Sequence, residues 1–359
     1  MNSDSELEAA VAAGALSPDA ASALRNYVAG RSGGAVADEE HFRLVTGFND
    51  IFVAIAAAIL LFAVGWIGNA VGPNIGGDGP SPVAGLFVAV TAWGLAEFFT
   101  RKRRMALPSI LLLLAFAGGV LLTALTTLVL GIGESAFENN DRAVALAFAA
   151  TAAVGAAATW VHWRHFRVPV TVAVGVATLV GLALALIASA VGDVPGLDKV
   201  MLVSGLLLGI AVFLLAMWWD SSDRARQTRR SDVAFWLHLL TAPLNVHPIF
   251  SLLGLTDGDA TIGEAVVVLG VYVLLGITAL AIDRRALLVS ALAYVLFALI
   301  SLFREFGAVE LNIALAAFVI GSGLLLLSAF WHSVRRSVVR PLPQGLQARL
   351  PVTERAVIA

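Results

Sequence analysis

The chain contains no cysteine among its 359 residues, and charged residues make up only 13% of it. The first absence excludes disulfides, thiolate metal sites and a cysteine nucleophile. The second argues against a soluble domain, which carries about 25% charged residues. HExxH, GxSxG and glycine-rich nucleotide-binding motifs are also missing. We therefore predict no catalytic residue, no metal and no cofactor, and an enzymatic function is not supported.

Hydrophobic residues make up 59% of the chain and are gathered into runs of about 20 residues, the length that crosses a bilayer as a helix. No alternating strand pattern accompanies them, so we predict an all-α polytopic transmembrane helical bundle. Ten spans are expected: Phe48–Val71, Pro82–Thr100, Ala106–Ile132, Ala143–Trp163, Val168–Val191, Val200–Trp219, Val233–Leu255, Ile262–Ile282, Ala286–Phe306 and Ala308–Trp331.

Basic residues alternate between the predicted connections. Fifteen lysines and arginines follow spans two, four, six, eight and ten, whereas the alternate loops hold only Arg142, Lys199 and Arg304. The positive-inside rule then places both termini in the cytoplasm. The two prolines of the seventh span would allow it to dip in and return, but the charge pattern supports a full crossing, because loss of this span would move Arg284 and Arg285 to the outside. We expect a multi-pass membrane protein.

Two segments flank the predicted bundle of residues 46–332. Residues 1–45 are expected to form a cytoplasmic helical segment with no cleavable signal peptide, in which Gly14 ends one helix and Ser17 caps the next. Residues 333–359 form a basic, proline-containing tail. The lipid bilayer is the expected partner, with anionic lipid at the basic loops. A net charge of −2 gives no indication of nucleic-acid binding.

The seventh predicted span has an unusual composition for a membrane segment, DVAFWLHLLTAPLNVHPIFSLLGL. Pro243 and Pro248 remove the helical partners of two carbonyl groups, and broken helices of this kind build the binding sites of many transporters. The alternative is that the polar side chains only bond to neighbouring helices. The candidate intramembrane site comprises His238, Thr241 and Asn245 on one face, His247 on the other, and the carbonyls of Leu239 and Leu244.

Two carboxylates within predicted spans are secondary candidates, Asp50 and Glu97. Ionisable groups in a membrane are costly and often functional. Asp50 lies near the cytoplasmic end of the first span, where ordinary ion pairing is the alternative. Glu97 precedes Arg101 by one helical turn and is expected to pair with it. His162 and His165 are spaced like two metal ligands, yet no further ligand stands near them, and an interfacial belt is favoured.

The segment AAVAAGALSPDAASALRNYVAGR, followed by FNDIFVAIAAAILLFAVGWIG, resembles the start of bacterial polytopic proteins grouped as domain of unknown function 2157. The likeness is strongest over the N-terminal third, and its motifs are compositional. The resemblance implies a short soluble helix pair ahead of a bundle rich in small residues, in the bacterial inner membrane. It brings no activity with it.

Two functions are consistent with these patterns. The first is a permease-like or channel-like protein for a small solute or a proton-coupled substrate, with His238 and Asn245 in its site. The second is a membrane-anchored sensor, scaffold or assembly factor, in which residues 1–45 bind a cytoplasmic protein partner.

Overall fold

We describe a computed structural model of the chain, covering residues 11–24, 48–253 (except 225 and 227), 262–285, 288, 292, 294–296, 298–300, 303 and 312–351. Every regular element among these residues is helical, as the sequence predicts. The chain divides into two compact units, Met1–Leu44 and Val45–Ala359. In the first unit, Gly14 has a positive φ of 70° and Ser17 Oγ accepts a hydrogen bond from Ala20 N at 3.1 Å. Both expected helix boundaries in this segment are confirmed.

Seven helices of the second unit are long and apolar enough to cross a membrane. The first and third have the predicted bounds, while the others differ by a few residues at one or both ends. They are α1 (Phe48–Val71), α2 (Pro82–Ala96), α3 (Ala106–Ile132), α4 (Asp141–Phe166), α5 (Val170–Val191), α6 (Leu197–Ser221) and α7 (Arg229–Leu252). Helix α2 continues as one π-helical stretch, Glu97–Lys102.

The remaining described helices are α8 (Ile262–Ile282), α9 (Asn312–Ala329), α10 (Trp331–Val339) and α11 (Gln344–Gln347). Helices α9 and α10 meet at a bend of 76°, and counting them as one span gives eight crossings among the described residues. The predicted ninth span, Ala286–Phe306, falls largely outside those residues. The multi-pass helical bundle is therefore established, and ten crossings remain a prediction.

Small residues bring the early helices into close contact. A Cβ atom placed on Gly119 of α3 would lie 2.6 Å from Gly85 O and 2.8 Å from Ala89 N of α2. Likewise, a Cβ atom on Gly68 of α1 would lie 2.7 Å from Ala84 Cα. Backbones approach this closely only where no side chain intervenes, which is the usual way that helices associate in lipid.

Consecutive helices pack as neighbours from α1 to α7, and α5 also packs against α7. We call the end of the bundle at which α2, α4, α6 and α8 terminate the basic end; its segments contribute Arg101–Arg104, Arg164–Arg167, Arg224 with Arg226, Arg229 and Arg230, and Arg284–Arg285. Side chains from the last two of these segments meet there directly, since Arg226 Nη1 lies 2.9 Å from Asp283 Oδ2, next to Arg284.

Candidate functional site

Helix α7 is continuous from Arg229 to Leu252, although Pro243 and Pro248 lie inside it. Thr228 caps its first turn, because its side-chain oxygen accepts from Arg230 N at 3.2 Å. Half of the most apolar stretch of α7 is buried, against 22–33% for the other six long helices. The break expected at the prolines is thus absent, and packing on several sides holds the helix despite the missing hydrogen bonds.

The predicted site residues of α7 do not come together in one place. His238 and Thr241 are buried, whereas Leu239 and His247 are exposed. His247 Nδ1 is 2.7 Å from the hydroxyl of Tyr294, away from His238, as expected for the opposite side of an unbroken helix. The structure therefore separates the two histidines.

Thr241 and Asn245 lie on the face of α7 that packs against α6. Thr241 Oγ1 donates to the carbonyl of Gly209 at 3.0 Å. A Cβ atom on Gly209 would lie 3.0 Å from Leu244 O and would also meet Asn245 Oδ1. Asn245 Oδ1 is buried and accepts no hydrogen bond from the described residues. Gly209 thus provides the gap that admits these two polar side chains.

His238 is fully buried and lies beside a carboxylate that the sequence patterns had not indicated. Its Nε2 atom is 3.4 Å from Oδ2 of Asp220, at the end of α6. Neither ring nitrogen of His238 has a hydrogen-bond partner of good geometry among the described residues. An unsatisfied buried polar atom costs about 1–3 kcal/mol, so the buried imidazole lowers the free energy of unfolding.

Asp220 also binds Arg284, which follows α8. Arg284 Nη2 donates to Asp220 Oδ1 at 2.7 Å, and Nε approaches Oδ2 at 3.3 Å. A third hydrogen bond joins Arg284 Nη2 to Ser231 O at 3.2 Å, and the ring of Phe235 lies 5.8 Å from the guanidinium carbon. All of these side chains except Phe235 are buried, so the ion pair is almost wholly removed from water.

A second buried carboxylate, Asp283, lies next to this pair. Trp331 Nε1 donates to its Oδ1 atom at 2.7 Å, and Arg226 Nη1 donates to its Oδ2 atom at 2.9 Å. Arg335 Nε lies 3.7 Å from the same carboxylate. We call the group Asp220, Asp283, Arg226, His238, Arg284 and Arg335 the basic-end cluster.

The C-terminal segment packs onto the basic-end cluster. Helix α10 contributes Trp331 and Arg335, and Arg335 Nη2 donates to Pro351 O at 2.8 Å. Arg224 donates to Leu350 O at 2.8 Å and to Gln347 O at 3.2 Å. Two arginines thus tie residues 347–351 to the rest of the bundle. Arg224 does so directly from the loop after α6, and Arg335 also contacts Asp283, which follows α8.

Charges nearly balance within the cluster, which holds three guanidinium groups and two carboxylates besides the histidine. Burial lowers the pKa of Arg226, and the neighbouring Arg284 acts in the same direction, while Asp220 and Asp283 oppose the shift.

Sequence patterns had identified only part of this cluster. Arg226, Arg284 and Arg335 were counted as topology signals, but they are buried partners of carboxylates. For Arg226 and Arg284, the signal that could reveal them is the neighbouring acidic residue, in WWDSSDRAR and in AIDRR; no such signal accompanies Arg335. Positive-inside counting gives such aspartates little weight.

Glu97 lies in a separate group at the same end of the bundle. Arg101 Nη1 donates to Glu97 Oε2 at 3.1 Å, which confirms the expected pair, and His165 Nε2 contacts Glu97 Oε1. The imidazole of His165 stacks on Trp93, with ring centroids 5.3 Å apart. These charged side chains are 35–60% exposed.

His162 faces the interior rather than the membrane surface, contrary to the expected interfacial belt. It is buried beside Trp93, Phe116 and Phe166, and its Nδ1 atom is 3.2 Å from Thr171 Oγ1. Asp50 is likewise buried, in the first turn of α1, where the positive end of the helix dipole favours a carboxylate.

No group of three or more histidine and acidic side chains among the described residues could hold a metal ion. Comparison of the chain with protein-family models, curated proteins and solved structures gives no match. The likeness to domain of unknown function 2157 stays a prediction.

Proposed function

We propose that this integral membrane protein is permease-like, moving a small solute in a step coupled to protonation of His238. The observation that carries the proposal is the fully buried imidazole, which lacks a well-formed hydrogen bond and lies 3.4 Å from Asp220. Ionisable groups within a membrane usually belong to substrate or proton pathways.

The shared carboxylate gives such a step a mechanism. Arg284 donates hydrogen bonds of 2.7 and 3.3 Å to Asp220, and His238 Nε2 lies 3.4 Å from Asp220 Oδ2. A proton on His238 creates a second cation that competes with Arg284 for Asp220. Arg284 is then released in part toward Ser231 O and Phe235, or binds an anionic substrate. This competition couples proton uptake to a movement of α8 relative to α6.

The location of the cluster also suits this function. We place the protein in the bacterial inner membrane, with ten crossings and with the basic end and both termini in the cytoplasm. The fifteen basic residues that follow the even-numbered predicted spans support this orientation. The basic-end cluster then lies at the cytoplasmic mouth, and residues 347–351 cover it.

Proton flux tests the proposal without knowledge of the solute. The purified protein is reconstituted into vesicles containing a pH-sensitive dye, and an imposed pH gradient drives proton entry. We expect flux in the wild-type protein, and its loss in His238→Gln. His247→Gln is the matched control, because His247 is on the same helix but outside the cluster. Equal flux in all three proteins, or none in the wild type at any gradient, would count against a proton-coupled site at His238.

Single-cysteine labelling tests the orientation, because the chain has no native cysteine. Suitable positions are exposed in the structure: residues 78 and 193 on one side, and 164 and 230 on the other. Positions 226 and 284 are unsuitable since their side chains are buried. An impermeant maleimide added to intact cells should modify residues 78 and 193 only. Modification of residue 230 from outside would reverse the proposed topology.

A second candidate function is the sensor or scaffold, supported by the separation of Met1–Leu44 as its own compact unit. In that case the bundle anchors a cytoplasmic binding segment. Chemical crosslinking in cells, with the full chain and with a chain lacking residues 1–44, distinguishes the two. An identical set of crosslinked proteins in both samples would eliminate a partner-binding role for this segment.

A further inference from the structure

A cavity at the opposite end of the bundle, far from His238 in sequence, has the form of an amphiphile-binding groove. It has a volume of about 590 Å³, within the range typical of small-molecule sites. Helices α1, α2 and α3 and the loop between α1 and α2 line it. Two of its lining residues, Phe62 and Trp66, are 70% and 69% exposed, so the groove opens on the side of the helices that faces lipid.

The lining changes from apolar to polar along the axis of α1. Leu61 lies near the middle of α1, and it shares the inner part of the groove with Val88 and Leu122. Asn74 and Asp78 line the outer part, in the loop beyond the helix end. Ala70 is nine positions after Leu61, so the two residues are about 14 Å apart along the helix axis. That distance is roughly half of the thickness of the hydrocarbon layer. The inner part is therefore at acyl-chain depth and the outer part at headgroup depth.

The polar part of the groove contains one buried hydrogen-bond acceptor without a partner and one carboxylate. Asn74 Oδ1 is buried and has no hydrogen-bond partner among the described residues. Asn69 Oδ1 is already engaged, because it accepts from Ser81 N at 2.8 Å. Asp78 is the one titratable group in the lining, so the charge of the groove is negative. A headgroup that is positively charged and carries N–H donors complements both Asn74 Oδ1 and the carboxylate of Asp78.

We propose that this groove binds a membrane lipid whose headgroup ends in a primary ammonium group. One acyl chain lies against Leu61, Val88 and Leu122. The ammonium group donates to Asn74 Oδ1 and forms an ion pair with Asp78. This combination of depth, volume and charge favours an aminolipid over an anionic lipid, whose headgroup would meet Asp78 with a charge of the same sign.

Photocrosslinking in vesicles tests the proposal with three lipids that share one diazirine-bearing acyl chain. Phosphatidylethanolamine supplies charge and N–H donors, phosphatidylcholine supplies the ammonium charge without donors, and phosphatidylglycerol supplies no positive charge. We expect phosphatidylethanolamine to label peptides of α1–α3 about tenfold more than phosphatidylglycerol, the ratio that one hydrogen bond to a charged group can give. Phosphatidylcholine should fall between them. Equal labelling by all three lipids would mean ordinary contact with bulk lipid and would overturn the proposal.

Substitutions in the groove test which of its residues produce the preference for phosphatidylethanolamine. Asn74→Leu should lower phosphatidylethanolamine labelling to the level of phosphatidylcholine, and Asp78→Asn should remove the difference between phosphatidylcholine and phosphatidylglycerol. Asp193→Asn is the charge control, because Asp193 is an exposed carboxylate in another loop.

Ala70→Phe should fill the groove and reduce labelling by all three lipids. Ile67→Phe should not, because Ile67 is on the same helix but outside the lining. A preference that survives both Asn74→Leu and Asp78→Asn would contradict the assigned headgroup contacts.

Discussion

Two groups of charged side chains lie at the basic end of the bundle, and they differ mainly in their exposure to solvent. Glu97, Arg101 and His165, which join α2 to α4, are 35–60% exposed. In the basic-end cluster, the side chains of Asp220, Arg226, His238 and Arg284 are no more than 7% exposed. The contacts are similar in length, so burial determines what each group contributes.

Exposed ion pairs contribute little, because water solvates the separate charges almost as well as the partners do. A buried pair behaves differently, since removal of one partner leaves the other charge in a poorly polarisable interior. The N-terminal helices therefore depend on close packing of small residues, and the C-terminal helices depend on ionic contacts as well. The following predictions test that difference, from the largest expected effect to the smallest.

The largest effect is expected from Asp220→Asn. It removes the carboxylate that accepts two hydrogen bonds from the buried Arg284, and loss of one partner of a buried pair costs about 3–5 kcal/mol. Unfolding in mixed micelles, followed by tryptophan fluorescence, measures the change in the free energy of unfolding.

The double variant Asp220→Leu with Arg284→Met is the control, because it removes both charges. It should recover most of the lost stability, as apolar replacement of a whole buried pair is often nearly neutral. A double variant as unstable as the single one would show that the ion pair does not account for the effect.

Trp331→Phe should give the next largest loss. The substitution keeps an aromatic ring but removes the indole N–H that donates to Asp283 at 2.7 Å. Hydrogen bonds to charged groups contribute about 1.5–3 kcal/mol. The same unfolding measurement applies, and Trp218→Phe, at a residue that is 65% exposed, is the matched control. Equal losses in the two variants would indicate that ring size, rather than the bond to Asp283, matters.

Gly119→Ala should lower the free energy of unfolding by about 1–3 kcal/mol, the usual cost of inserting an atom into a packed interface. The new Cβ atom would lie 2.6 Å from Gly85 O, and two backbones would have to separate. Gly118→Ala provides the control in the adjacent position, where no atom lies within 4 Å of an added Cβ. That variant should be neutral or slightly stabilising, since alanine is the better helix former. If the two variants behave alike, the close approach of α2 and α3 does not support the fold.

The sequence predicted the fold better than the site for a physical reason. Transmembrane helices are encoded by local composition, so Phe48–Val71 and Ala106–Ile132 were predicted with their observed bounds. The partners of His238 depend on contacts between helices that are far apart in the sequence. Asp220 is 18 residues before His238 and Arg284 is 46 residues after it. Alternation of basic loops predicts that such groups share one end, but not which of them are buried together.

The two prolines of α7 also show that local sequence and tertiary packing can favour different structures. Pro243 and Pro248 predict a broken helix when the local sequence is considered alone, because each removes a backbone donor. In the structure α7 continues through both, with neighbours covering half of its apolar stretch. Tertiary packing therefore overrides the local preference of proline for a helix break. We expected the carbonyls of Leu239 and Leu244 to share a site with His238, but the charged group beside His238 is the carboxylate of Asp220.

The smallest effect is expected from Glu97→Gln, which removes the carboxylate from its contacts with Arg101 and His165. Both partners remain partly exposed, so water can solvate them after the substitution. The midpoint of unfolding should change by less than in Asp220→Asn, Trp331→Phe or Gly119→Ala. The difference between Glu97→Gln and the wild type should shrink further in added salt, because salt screens exposed ion pairs. His165 also stacks on Trp93, and this ring contact survives in the variant. A loss as large as that of Asp220→Asn would mean that Glu97 is buried in the membrane-embedded protein, and the contrast between the two charged groups would not hold.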